Sequence, residues 1–150
     1  MQLENKAFLT ARVKRFGYLC FGAYAAILLH LTLFSHNYYT YGRSANLDLF
    51  KSIRLMVDSG NFQLFFDNVV GNILLFLPFG FLLTLLIKKL RNLFLMFAVA
   101  IVTSFSIEIA QYEFANRIFD IDDIFLNVVG AMVGWMAVKL VIMAVKRRKG

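Results

Sequence analysis

Four apolar runs of membrane-spanning length dominate this sequence. They cover Phe16 to Phe34, Val69 to Ile87, Leu93 to Gln111 and Ile124 to Val145. A helix needs about 20 apolar residues to cross the hydrocarbon core of a bilayer, and each run comes close to that length. The chain is 60% hydrophobic and only 17% charged, which leaves too little polar surface for a water-soluble domain of this size. We therefore expect an all-α membrane protein with four transmembrane helices in a single domain, residues 1–150.

Basic residues collect on one side of the expected bundle. The chain has sixteen Lys and Arg against nine Asp and Glu, and most of the bases precede the first run, fill the turn between the second and third, or end the fourth. They are Lys6, Arg12, Lys14, Arg15, Lys88, Lys89, Arg91, Lys139, Lys146, Arg147, Arg148 and Lys149. The positive-inside rule then predicts a multi-pass protein with both termini cytoplasmic. Because the bases lie at helix ends and not on one soluble face, we expect no nucleic-acid partner.

The segment between the first and second runs contains a short stretch with helical spacing. In Leu47 to Val57 the apolar residues Leu47, Phe50, Ile53 and Val57 recur every three or four positions, which is typical of one face of a helix. This pattern predicts a short amphipathic helix lying on the outer membrane surface.

The fourth run contains Gly130 and Gly134, four positions apart. Small residues at this spacing allow a second helix to approach closely. Our first interpretation is packing inside the bundle, and the second is a homo-oligomer through this face.

Polar side chains cluster near the outer boundary of three runs. The third run carries Ser104, Glu108 and Gln111 on one face, because steps of four and three return a helix to the same side. Eight residues from the second, third and fourth segments form the predicted ligand-binding set: Asn68, Asn72, Glu108, Gln111, Arg117, Asp120, Asp123 and Asn127. All lie within about two helical turns of the same boundary, so three helices can direct them to one point.

This cluster has a structural and a functional interpretation. Acids such as Asp120 and Asp123 at a helix start are favoured by the helix dipole, Asn72 and Asn127 could bond neighbouring helices, and Glu108 with Arg117 could be an ion pair. Ionisable groups inside a membrane are, however, costly and usually functional. Several acids with Asn and Gln around one Arg exceed what helix capping requires, so the functional interpretation is the stronger one.

The sequence predicts neither a metal site nor a cofactor site. Oxygen-rich side chains suit hard cations, but their spacing matches no known calcium loop. Neither His30 nor His36 has a Cys or His at metal-ligand spacing, and there is no glycine-rich phosphate loop.

A set of polar, glycine, proline and aromatic residues recurs along the outer segment and the last three spans. In chain order it is Asn46, Leu47, Phe50, Ile53, Asn68, Gly71, Asn72, Phe76, Pro78, Gly80, Ser106, Glu108, Gln111, Arg117, Asp120, Asp123, Asn127, Gly130 and Gly134. From about Asn46 to Lys139 this pattern resembles the VanZ-like family, small bacterial membrane proteins associated with lowered susceptibility to the glycopeptide teicoplanin. Asp48 and Leu49 depart from it, since the family pattern has an apolar residue and a proline before Phe50. The resemblance implies a bacterial cell-membrane protein.

Three functions fit these observations. The first is binding of a membrane lipid headgroup or lipid-linked envelope precursor from the outer side, with Arg117 on an anionic group and Glu108, Asp120 and Asp123 on amines or hydroxyls. The second is a membrane hydrolase or transferase acting on a lipid-linked substrate, with the catalytic candidates Glu108 or Asp123 as general base and Arg117 stabilising negative charge. A proton-coupled carrier or accessory subunit is the third, which the scarcity of polar residues in the cytoplasmic half disfavours.

Overall fold

The computed structural model describes residues 11–34, 44–115 and 117–148; Lys6, His36 and Lys149 lie outside these ranges. The elements are α1 (Ala11–Phe34), β1 (Ala45–Asn46), α2 (Lys51–Asp58), α3 (Phe62–Phe65), a π-helical segment (Phe66–Val70), α4 (Gly71–Leu86), a 3-10 turn (Lys88–Arg91), α5 (Leu93–Phe114), β2 (Phe119–Asp120) and α6 (Ile121–Arg147).

Four helical stretches are long and apolar enough to cross a membrane, as the sequence predicts: Arg12–Phe34, Phe62–Leu86, Leu93–Phe114 and Ile121–Arg147. They extend beyond the apolar runs, because a helix continues through polar residues until water or a cap can satisfy its backbone. The largest difference is in the second span, which begins at Phe62 and not at Val69. There the Asn61 Oδ1 atom accepts the Leu64 N–H at 3.1 Å, and the helix continues through the π-helical segment into α4.

Successive spans run in opposite directions, so their charged ends separate into two groups. Gly17 near the start of α1 packs against Leu86 at the end of α4. Gln111 near the end of α5 donates from Nε2 to the Thr32 carbonyl near the end of α1, at 2.9 Å. We call the end that carries the Lys88–Arg91 turn the basic end, and the opposite end, which carries Glu108 and the start of α6, the acidic end.

The tightest helix pair is α4 with α6, which run parallel and touch through glycine. A Cβ atom added at Gly80 would overlap the Ala131 backbone, and one at Gly130 would overlap the backbone of Ile73. Gly134 lies equally close to the α4 backbone. Packing inside the bundle is therefore confirmed for Gly130 and Gly134. Both are covered by α4, so a homo-oligomer through this face would require α4 to move away.

The first helix is more peripheral than the other three. The Tyr24 hydroxyl donates to the Leu75 carbonyl of α4 at 2.7 Å, and the Phe21 ring lies 6.3 Å from that of Phe79, centre to centre. Tyr24 thus joins α1 to the α4 backbone by a hydrogen bond that lipid acyl chains cannot replace, because they carry no donor.

A short parallel pairing joins the segment after α1 to the segment before α6. Strands β1 and β2 pair Ala45 with Phe119 and Asn46 with Asp120. Helix α2 follows, starting at Lys51 and not at the expected Leu47. The preceding Phe50 has a positive φ of 67°, which is incompatible with a continuous right-handed helix and is uncommon for a bulky residue. The position of α2 on the outer membrane surface stays a prediction.

Candidate functional site

The polar face of α5 points into the bundle. Ser104, Glu108 and Gln111 are all buried, with Glu108 only 2% exposed. A carboxylate on a membrane helix is costly when it faces lipid. Its position against α6 removes that contact and confirms that these side chains share an inward face.

Glu108 is joined to the start of α6 by its carboxylate. The Oε1 atom accepts the backbone N–H of Asp120 at 2.8 Å. Glu108 also interacts electrostatically with Asp123, Asp120 and Arg117. The sequence-predicted convergence of α5, α6 and the preceding loop is therefore present, with the Asp120 backbone and not a side chain as the nearest donor.

Asp123 connects α6 to α4 and to Arg117. Its Oδ1 atom accepts from the Asn72 Nδ2 at 2.8 Å, and its Oδ2 atom lies 3.7 Å from the Arg117 Nη2. The second distance is too long for a hydrogen bond. The Asp123 and Arg117 side chains are 16% and 23% exposed. Asn72 and Asp120 are also partly exposed, so a molecule outside the bundle can reach these four residues, while Glu108 lies behind them.

Asp120 and Asp122 bind the segment around α2. Asp120 Oδ1 accepts from the Asn46 Nδ2 at 3.0 Å and from its own helix at Asp122 N, at 2.9 Å, while its Oδ2 accepts the Ser52 hydroxyl. The Asp122 carboxylate accepts the N–H groups of Phe50, Ser52 and Ile53. Asp120 caps α6, and both acids attach the start of α2 to the start of α6. Because both oxygens of Asp120 already accept hydrogen bonds, Asp120 has little capacity left for a ligand.

Sequence reasoning did not place Asn46 and Ser52 in the cluster. Asn46 bonds the Ser52 hydroxyl at 2.9 Å as well as Asp120. The family resemblance included Asn46 and so could have pointed to it. Nothing in the sequence, however, pairs Asn46 with Asp120, which lies 74 positions further along the chain. Only the β1–β2 pairing brings them together.

Three predicted ligand-binding residues have other partners. Asn68 donates to the Leu64 carbonyl of its own helix at 2.8 Å. Gln111 binds α1 through Thr32, as described above. Asn127 donates to the Ser104 hydroxyl at 3.0 Å, deeper in the bundle. Their inclusion in a ligand site stays a prediction, while Asn72, Glu108, Arg117, Asp120 and Asp123 form one connected group.

This group offers both hydrogen-bond donors and acceptors. Within the described ranges no group of three or more His, Cys, Asp or Glu is arranged to hold a metal ion. The Arg117 guanidinium makes the long ion pair to Asp123 and no hydrogen bond to any described residue. A guanidinium has five donors in a fixed plane, so Arg117 retains donors for an anionic group while Glu108 and Asp123 retain acceptor capacity.

These features define a four-span integral membrane protein with a buried cluster of acids and amides beside a partly exposed arginine. The chain belongs to the VanZ/LLP1 family, whose sequence model matches residues 21–142. Protein VanZ from Enterococcus faecium is 36% identical over 117 residues, covering 74% of this chain and 66% of that protein. The chain thus spans about two thirds of the length of this relative. No solved structure matches the chain significantly.

Proposed function

We propose that this protein resides in a bacterial cell membrane with both termini cytoplasmic, and that the cluster at its acidic end binds the headgroup of a lipid or a lipid-linked envelope precursor. The basic residues at the opposite end support this orientation through the positive-inside rule. The acidic end then faces the outer leaflet. Headgroups of membrane lipids and precursors lie at that depth.

Arg117 is the observation that carries the proposal. A guanidinium that is 23% exposed and free of hydrogen bonds to the described residues can take a phosphate or carboxylate in a bidentate manner. Its ion pair with Asp123, at 3.7 Å, is loose enough to accommodate a ligand oxygen without loss of a hydrogen bond.

The acids beside Arg117 define the other half of the ligand. Asp123 keeps acceptor capacity beyond its bond to Asn72 and is partly exposed. Glu108 also keeps acceptor capacity beyond its bond to Asp120 N, but it is only 2% exposed, so a ligand group would reach it only by entering past Asp123. Carboxylates next to a bound anion favour amines or hydroxyls, so the proposed ligand carries both an anionic group and a donor group. Asp120 contributes less, because its two oxygens are already bonded.

Membership of the VanZ/LLP1 family supports a further step, a role in lowered susceptibility to teicoplanin-type glycopeptides. A protein that holds a headgroup or envelope precursor at the outer leaflet would act where such a lipid-bearing drug meets the membrane. A general-base role of Glu108 or Asp123 has no additional observation in its favour.

The test replaces Glu108→Gln, Arg117→Lys and Asp123→Asn singly in an expressing strain. We expect raised teicoplanin susceptibility and reduced co-purification of lipid, with Arg117→Lys effective because lysine lacks the bidentate fork. Asp67→Asn is the matched control, since this exposed acid bonds only to Gln63 among the described residues. Unchanged susceptibility and lipid content in all three variants, at normal protein levels, would refute the proposal.

A further inference from the structure

An open apolar groove runs along the contact between α5 and α6, from Leu49 and Ile121 at the acidic end to Leu140 near the basic end. Its cavity volume is about 740 Å³, and its lining is entirely apolar, with Phe97 and Ile101 on α5 and Val128, Met132, Met136 and Leu140 on α6. From Ile121 to Leu140 the helix rises by about 28 Å, which is close to the thickness of a whole hydrocarbon core. The half of the groove nearer the basic end, from Val128 to Leu140, rises by about 18 Å and is long enough for the acyl chains of one leaflet, about 15 Å.

An unpaired charge lies at the basic end of the same helical stripe. Lys139 follows Met132 by seven positions and Met136 by three, which places it on their side of α6. Its ammonium lies 5.5 Å from the centre of the Trp135 ring, and it forms no ion pair with any described residue. An ammonium inside a membrane span is costly unless it reaches a headgroup or a counter-ion.

We propose that this groove holds an acyl chain of an anionic phospholipid from the leaflet at the basic end, with its phosphate on Lys139. The groove supplies the apolar contact, and the unpaired ammonium, oriented by Trp135, supplies the complementary charge. Lys139 lies toward the opposite end of the bundle from Arg117, so this phosphate contact is separate from the headgroup contact proposed there.

Charge complementarity selects this occupant over a second protein helix. An apolar partner helix in the groove would cover Met132 and Met136 but would leave Lys139 without a counter-charge. A zwitterionic lipid would fill the groove equally well, but it would bring no net negative charge to Lys139.

The experiment reconstitutes the full chain in nanodiscs with equal amounts of phosphatidylglycerol and phosphatidylcholine and measures the retained lipid by native mass spectrometry. We expect wild-type protein to retain the anionic lipid about fivefold over the zwitterionic one, the ratio that a single lysine near a headgroup supports. Lys139→Gln should abolish this preference. Ala137→Phe, which fills the groove, should reduce retention of both lipids.

Two control variants separate the site from general effects. Lys89→Gln removes an exposed charge at the same end, and Val141→Phe adds the same bulk at a lipid-exposed position outside the groove; both should behave like wild type. Loss of lipid retention in Ala137→Phe supports the groove only if the melting temperature of this variant matches that of Val141→Phe. If Ala137→Phe melts at a lower temperature, the lipid preference of Lys139→Gln alone decides the outcome. Equal retention of the two lipids by wild type, or an unchanged preference in Lys139→Gln, would overturn the proposal.

Discussion

Asp122 at the start of α6 accepts the backbone N–H of Ser52 at the start of α2, at 2.9 Å and across 70 positions of sequence. The same carboxylate accepts the Phe50 and Ile53 N–H groups. Helix α2 has no side-chain cap of its own, so its first turn is capped by a residue of another helix. These hydrogen bonds hold the start of α2 at the acidic end. They also offset part of the energetic cost of the positive φ at Phe50.

Removing this cap should release α2 while leaving the four spans folded. Asp122→Ala leaves several N–H groups at the start of α2 without an acceptor, and we expect a loss of about 1–2 kcal/mol in the local free energy of opening. Amide hydrogen exchange at Ser52 and Ile53 measures it. Asp48→Ala is the control, because the Asp48 side chain is 77% exposed and pairs only with Lys51 among the described residues. Equal exchange in both variants would show that Asp122 does not cap α2.

The glycine contacts predict that a methyl group added at Gly130 destabilises the protein, while one added at Gly22 does not. Gly130→Ala forces a Cβ atom into the Ile73 backbone, and overpacking of this kind costs about 1–3 kcal/mol or more. Gly22→Ala adds the same atom to α1 where nothing lies within 4 Å, so it should be neutral or slightly stabilising. Thermal unfolding in detergent compares the two. Similar melting temperatures would mean that α4 and α6 are not in backbone contact.

The hydroxyl of Tyr24 should contribute measurably to the attachment of α1. Tyr24→Phe removes the bond to the Leu75 carbonyl, and we expect a loss of about 0.5–1.5 kcal/mol. Tyr18→Phe makes the same change on the same helix at a residue that is 53% exposed, and it should have little effect. Denaturant titration of both variants in mixed micelles provides the measurement, and equal losses would contradict the role of Tyr24.

Asn72 and Asn68 differ by one helical turn and should differ in effect. Asn72→Ala removes the hydrogen-bond partner of the partly exposed Asp123 carboxylate, for which we expect a loss of about 0.5–1.7 kcal/mol. Asn68→Ala removes only a bond within its own helix and should cost less. Comparing the unfolding free energies of the two variants tests which asparagine belongs to the cluster. A larger loss in Asn68→Ala would exclude our assignment.

The four spans and the inward face of α5 were predictable because membranes impose simple rules, while the ligand-binding set stays a prediction. A span must be a long apolar helix, so composition and length located all four. Steps of three and four then placed Glu108 on the inner face of α5. Helix ends were less predictable, since the stop depends on local caps such as Asn61 and not on hydropathy.

Side-chain partners were predictable only where few alternatives existed. Asn68 and Asn72 are chemically identical and lie on one face, yet only Asn72 reaches α6. The pairing of Asn46 with Asp120 depends on two short strands distant in sequence. Periodicity carries no information about such contacts, because they arise from tertiary packing.

The glycine seam between α4 and α6 also limits how the acidic end can move. Asn72 is attached to one of these helices and Asp123 to the other, and their backbones already touch at Gly80 and Gly130. Sliding or tilting one against the other would drive main-chain atoms together. Asn72 and Asp123 are therefore held at a fixed separation by main-chain contact. If the proposed ligand needs more room than the cluster offers, that room has to come from displacement of α5 or α2, which do not share this seam.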